Sequence, residues 1–157
     1  MVTPPGFTSH RADRSANLSL KSKGGGVCFL INDRWCINST TVKQFFSPDL
    51  ELLNVTCRPI YLPREFASVV LIGVYIPPQA NANIAASKLA LHIATAELSH
   101  PDSAVLVLGD FNHCDLSDEL PNYIQQVTCP MRGNNILDHC YTKITSAYHS
   151  FPSAPKV

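Results

Sequence analysis

The stretch that most constrains this chain is residues 104–112, AVLVLGDFN. Val105, Leu106, Val107 and Leu108 follow one another without a polar break and stop at Gly109-Asp110-Phe111-Asn112. An unbroken apolar run this short reads as a strand buried on both faces, the middle of a sheet. Gly109 relieves the backbone where the strand ends. Asp110 and Asn112, two apart, project to one side for as long as the extended geometry continues. Open α/β sheets place their chemistry at the C-terminal ends of central strands, so a carboxylate beside an amide there is a candidate site. The plainer reading is Asp and Asn as turn formers closing a strand.

Composition narrows what surrounds that strand. The 157 residues suit one domain with a real core. Charged residues make up 15%, against roughly 25% in a typical soluble domain, which favours buried strands over solvated helices. Lys+Arg and Asp+Glu balance at 12 each, so no global basic field attracts a nucleic acid. Any polyanion must meet a local patch or a metal ion. The first ten residues carry neither the cationic start nor the apolar stretch of a signal peptide. No run approaches the roughly 18 apolar residues of a membrane span. Six scattered cysteines without a CxxC are therefore expected as free thiols in an intracellular, reducing compartment. His113-Cys114 and His139-Cys140 do not have zinc-site spacing, because adjacent residues on a strand face opposite ways.

In chain order, residues 1–23 are polar, with Arg11, Arg14, Lys21 and Lys23 against Asp13, and read as a basic loop or fraying terminus ahead of a domain over 24–157. That segment either faces phosphate or is simply solvated. Gly24-Gly25-Gly26 reads as tight backbone leading into a strand at 27–31, since no GxxxxGK[ST] follows. A turn at Asn32-Asp33 and a strand over 35–42 complete an expected hairpin. Further strands are expected at 50–57 and 66–76, the latter ended by Pro77-Pro78. Residues 81–99 are expected as a helix capped by Asn81 or Asn83. Its buried stripe is read as Ile84, Leu91 and Leu98 with Ala94, widened by Leu89 and Ile93. A helix between two buried strands is the order of a βαβ crossover. A second helix over 118–127, a strand over 134–141 carrying Asp138 and the start of another at 147–151 complete an α/β layered domain with mixed sheets.

These pieces resemble the endonuclease/exonuclease/phosphatase superfamily, and specifically the endonuclease domain of non-LTR (LINE-type) retrotransposons. The resemblance rests on GGGV at 24–27, FASVVLIGVYIPP at 66–78, the helix, GDFN at 109–112 and NNILDHCY at 134–141, in that order, and spans about residues 6–155. It implies a DNase I-like α/β fold, a two-sheet β-sandwich flanked by helices. It also implies hydrolysis of DNA phosphodiesters with Mg²⁺ or Mn²⁺, with DNA as partner and the nucleus as the place where that DNA is met. In that scheme Asp110 orients and deprotonates water or helps hold the metal. Asn112 donates to the phosphate, steadies Asp110 or joins the metal. Tyr75 donates to a non-bridging oxygen, and Asp138 orients a histidine. All four are expected in one cleft.

The chain departs from the pattern. The Ser-Asp-His segment that supplies the family's histidine does not occur, and residues 1–7 contain neither the family's metal-binding glutamate nor its first asparagine. Pro78 stands where many members have Asn. On this reading the domain is truncated at both ends and impaired as a nuclease, and it carries no reverse transcriptase segment. The alternatives are a non-catalytic retroelement remnant and a superfamily phosphatase acting on a lipid or inositol phosphate.

Overall fold

In the computed structural model, the described residues are 2–13, 26–130 and 133–145. They form a mixed α/β arrangement of two sheets and one helix. The strand of the AVLVLGDFN run, β6 (Ser103–Asp110), lies inside a six-stranded sheet. One neighbour is β5 (Ser68–Tyr75), which it meets in parallel; the other is β8 (Asp138–Thr142), which runs antiparallel. Parallel neighbours need a crossover, and α1 (Ala82–Ser99) supplies it. The sheet continues beyond β5 through β4 (Glu51–Arg58) to β3 (Asn38–Phe46), and beyond β8 to β7 (Ile124–Gln125). The β3–β4 ladder slips by one residue between Thr41 and Lys43, leaving Val42 in a bulge.

Each face of this sheet has its own core. On one, Leu52, Ile72, Val74 and Val107 pack under α1 through Ala85, Ala86, Leu89, Ile93 and Ala96. Alanines at the contact let the helix lie close to the sheet. Asn81 caps α1, its side-chain oxygen accepting from the Ile84 N–H. On the other face, Leu53, Val55, Val69 and Leu71 pack against a separate two-stranded sheet, β1 (Phe7–Ala12) paired antiparallel with β2 (Val27–Asn32). Gly73 makes that approach possible: a Cβ there would come within 2.7 Å of Val27 Cγ1 and 2.9 Å of the Phe29 ring. His10 fastens β1 to β3, its ring nitrogens 2.8 Å from the hydroxyls of Thr41 and Ser39.

Several expectations are corrected. Residues 7–12 form a strand, because β2 supplies a full ladder that the polar sequence FTSHRA does not advertise. Strand β2 therefore pairs with β1 and not with residues 35–42; the chain changes sheets at 33–37. Ile84, Leu91 and Leu98 face outward, Leu98 with 84% exposure, while the flanking Leu89 and Ile93 carry the packing. No helix forms over 118–127. The Leu120 N–H reaches the Leu116 carbonyl for one turn, and Ile124 and Gln125 then pair with Thr142 and Tyr141. Pro121, with no N–H, does not prolong the turn. The strand expected over 134–141 is shorter at its start and runs as β8. The strand start at 147–151, and Arg14, Lys21, Lys23, Gly24 and Gly25, lie outside the described residues. None of the six cysteines is disulfide-bonded. Burial and the adjacent Cys36 push the Cys57 thiol up to about 12. No helix among the described residues is long and apolar enough to cross a membrane.

Candidate functional site

Strand register gathers the candidate residues. Glu51 on β4 pairs with Tyr75 on β5, Tyr75 with Asp110 on β6, and Asp110 with Asp138 on β8. Residues in register on neighbouring strands project to one face, so these four side chains form a row across the sheet. The face is the one that carries β1 and β2, since Gly73, two residues before Tyr75, lies against Val27 and Phe29. The Phe111 N–H donates to the Leu137 carbonyl at 2.8 Å. In an antiparallel ladder that bond flanks a non-hydrogen-bonded pair, here Asp110 and Asp138, whose Cα atoms are about 4.5 Å apart. Two aspartates are thus set at directly opposite positions on neighbouring strands.

The end of β6 is tied tightly to β5. Gly109 has φ +146°, and a Cβ there would lie 1.9 Å from the Val74 carbonyl oxygen, so no side chain fits. The Ile76 N–H donates to the Asp110 carbonyl at 2.9 Å. Asn112 then turns the chain with φ 50°. Its backbone N–H donates to Asp110 Oδ1 at 3.0 Å and its side-chain Nδ2 donates to the Ile76 carbonyl at 2.6 Å. Extended geometry therefore stops before Asn112. Its amide clasps β5 and its backbone steadies Asp110, so Asn112 itself stands outside the row. Tyr75 is half-buried and Asp138 exposed; among the described residues neither the phenol nor the Asp138 carboxylate has a hydrogen-bond partner.

Beneath the row, on the helix face, a different set of polar groups is already satisfied. Phe111 is buried and stacks with His139, centroids 5.0 Å apart. One ring nitrogen of His139 lies 3.0 Å from the Ile136 carbonyl oxygen, and the other lies 3.0 Å from the Tyr141 hydroxyl. That hydroxyl accepts from the Leu116 N–H and reaches Asp115 at 3.3 Å. Burial, with Asp115 adjacent, pushes the Tyr141 phenol up to about 12. The Ser117 hydroxyl and backbone N–H hold Asp115 below the ordinary carboxylate range. His139 is adjacent to Asp138 in sequence but engaged on the opposite face.

Searches of protein-family models, curated proteins and solved structures return no match.

Glu51 is a site residue that the sequence patterns above do not single out. It is 1% exposed, and its Oε2 accepts from the Gly26 N–H at 2.8 Å, which fixes the start of β2 against the row. A glutamate opening an apolar strand, ELLNV, was a usable signal, because carboxylates are almost never fully buried without partners. Among the described residues no group of three or more His, Cys, Asp or Glu converges as a metal cage. Asp110 with Asp138 is the pair suited to a hard divalent cation that takes one or two carboxylates and leaves its other positions to water and phosphate.

Proposed function

We propose that this chain is a DNA phosphodiesterase domain of the DNase I-like, retroelement endonuclease type, working at the Tyr75–Asp110–Asp138 row. The observation that carries the reading is the register itself. Three residues separated by 35 and 28 positions meet on one face, at the strand ends where such sheets hold their chemistry. Asp110, steadied by the Asn112 N–H, orients a water and accepts its proton. The unpartnered Tyr75 hydroxyl donates to a non-bridging phosphate oxygen as charge grows there. Asp110 and Asp138 would hold Mg²⁺ or Mn²⁺, which supplies the positive charge that a phosphodiester requires. Asn112 positions the loop and does not join that set.

Supercoiled plasmid incubated with the full chain and Mg²⁺ tests this. Asp110→Asn keeps an acceptor for the Asn112 N–H and removes the charge. We expect slow, EDTA-sensitive nicking that falls by about 10²–10³ in the variant, and a smaller loss in Tyr75→Phe. Among the described residues the row contains no histidine, which favours a second reading, a folded domain without activity. Nicking no faster in wild type than in Asp110→Asn, both showing the same circular dichroism spectrum, would establish that second reading.

A further inference from the structure

At the opposite end of the six-stranded sheet, about 23 Å away along β4 (seven steps of roughly 3.3 Å), two loops are joined. The Ile60 N–H donates to the Trp35 carbonyl at 2.9 Å, and Asn38 pairs with Arg58 just inside. This junction presents Trp35, Ile37, Ile60 and Tyr61 to solvent, Tyr61 at 91% and Ile37 at 71%. Beside them stand the exposed guanidinium groups of Arg34 and Arg58, which have no ion-pair or hydrogen-bond partner among the described residues. The loop is not slack. Trp35 and Cys36 N–H groups donate to the Asn32 carbonyl, Arg34 N–H to Asn32 Oδ1, and buried Cys36 anchors the turn from below. Asp33, the nearest carboxylate in sequence, accepts from the Thr8 hydroxyl on β1.

Rigid exposed apolar surface with unpaired arginines on a chain of zero net charge calls for a ligand with both planar apolar faces and negative charge. The geometry points to a docking surface for single-stranded nucleic acid, with bases stacking on Trp35 and Tyr61 and phosphates meeting Arg34 and Arg58. Stacking needs only a π-face and is sequence-tolerant, and the guanidinium matches phosphate as lysine does not. The surface is separate from the Asp110 row, so it stands or falls independently of hydrolysis.

Trp35 is the chain's single tryptophan and reports directly. The full chain is titrated with a twenty-nucleotide oligothymidine in EDTA, following tryptophan emission. Saturable quenching is expected. Tyr61→Ala should weaken binding by about 5- to 150-fold, and Tyr61→Phe should not. Replacing Arg34 and Arg58 with Ala should flatten the slope of log K against log salt by about 1.4. Absence of quenching, or quenching with affinity and salt slope unmoved in both variants, overturns the proposal. So does a blue shift on phosphatidylserine/phosphatidylcholine vesicles with no response to the oligonucleotide, which would assign the patch to a membrane surface.

Discussion

The two ends of the six-stranded sheet handle polarity in opposite ways. At the Asp110 end, charged and phenolic groups from four strands share one face, and backbone bonds hold the strand tips so closely that Gly109 leaves no room for a methyl group. At the far end the Ser68 and Ser103 hydroxyls bond to each other at 2.5 Å, and apolar side chains reach solvent from the loops. Polar groups gathered on one face by a rigid frame suit chemistry. Unpaired apolar groups on loops suit docking. The same sheet thus separates the two kinds of work by its length.

Breaking the rigid end should have the largest effect. Gly109→Ala forces a methyl onto the Val74 carbonyl at a positive φ, and strain plus displacement should cost about 3 kcal/mol. For a domain of this size that lowers the melting temperature by about 6–12 °C, readable by calorimetry. Next comes the buried layer under that end. The Tyr141 phenol is raised to about 12 by burial, against an ordinary value near 10. Its contribution is fully present below about pH 10 and is lost as pH rises through the folded-state value. Urea unfolding at pH 9 and pH 12 should show about 2–3 kcal/mol of alkaline loss that Tyr141→Phe lacks. At the far end, Ser103→Ala should cost about 1 kcal/mol by urea midpoint and leave plasmid nicking unchanged. Smallest of all, Leu98→Gln on the outer face of α1 should stay within about 0.5 kcal/mol by the same measurement.

The central strand and the crossover helix were legible because their signals are local: an apolar run closed by glycine, a capped segment between strands. The helix's buried face was misread for a physical reason. Ile84, Leu91 and Leu98 keep a seven-residue spacing that looks like a stripe, but contact with the sheet runs through Ala85, Ala86 and Ala96, whose small size permits the approach. The second helix was lost to pairing with β8, a tertiary choice that i, i+3, i+4 spacing cannot register. Tyr75, Asp110 and Asp138 could each be picked out one at a time, as polar residues ending or lying in strands. Their meeting in one cleft was an expectation drawn from the family resemblance; which residues share the row depends on the register of three ladders, and that dependence kept Glu51 out of the expected set and put Asn112 in it.

The bulge at Val42 bears on whether such a sheet stays in solution. Edge strands carry unpaired N–H and C=O groups, which invite another chain to add on. One edge of this sheet, β7, is two residues long and offers almost nothing to pair with. The other, β3, is nine residues long and would be a full template, but the slip at Val42 breaks its ladder and twists it, with exposed Lys43 directly after the break. Deleting Val42 would restore an even edge, and the protein would then gather into aggregates detectable by light scattering at concentrations where the natural chain stays dispersed.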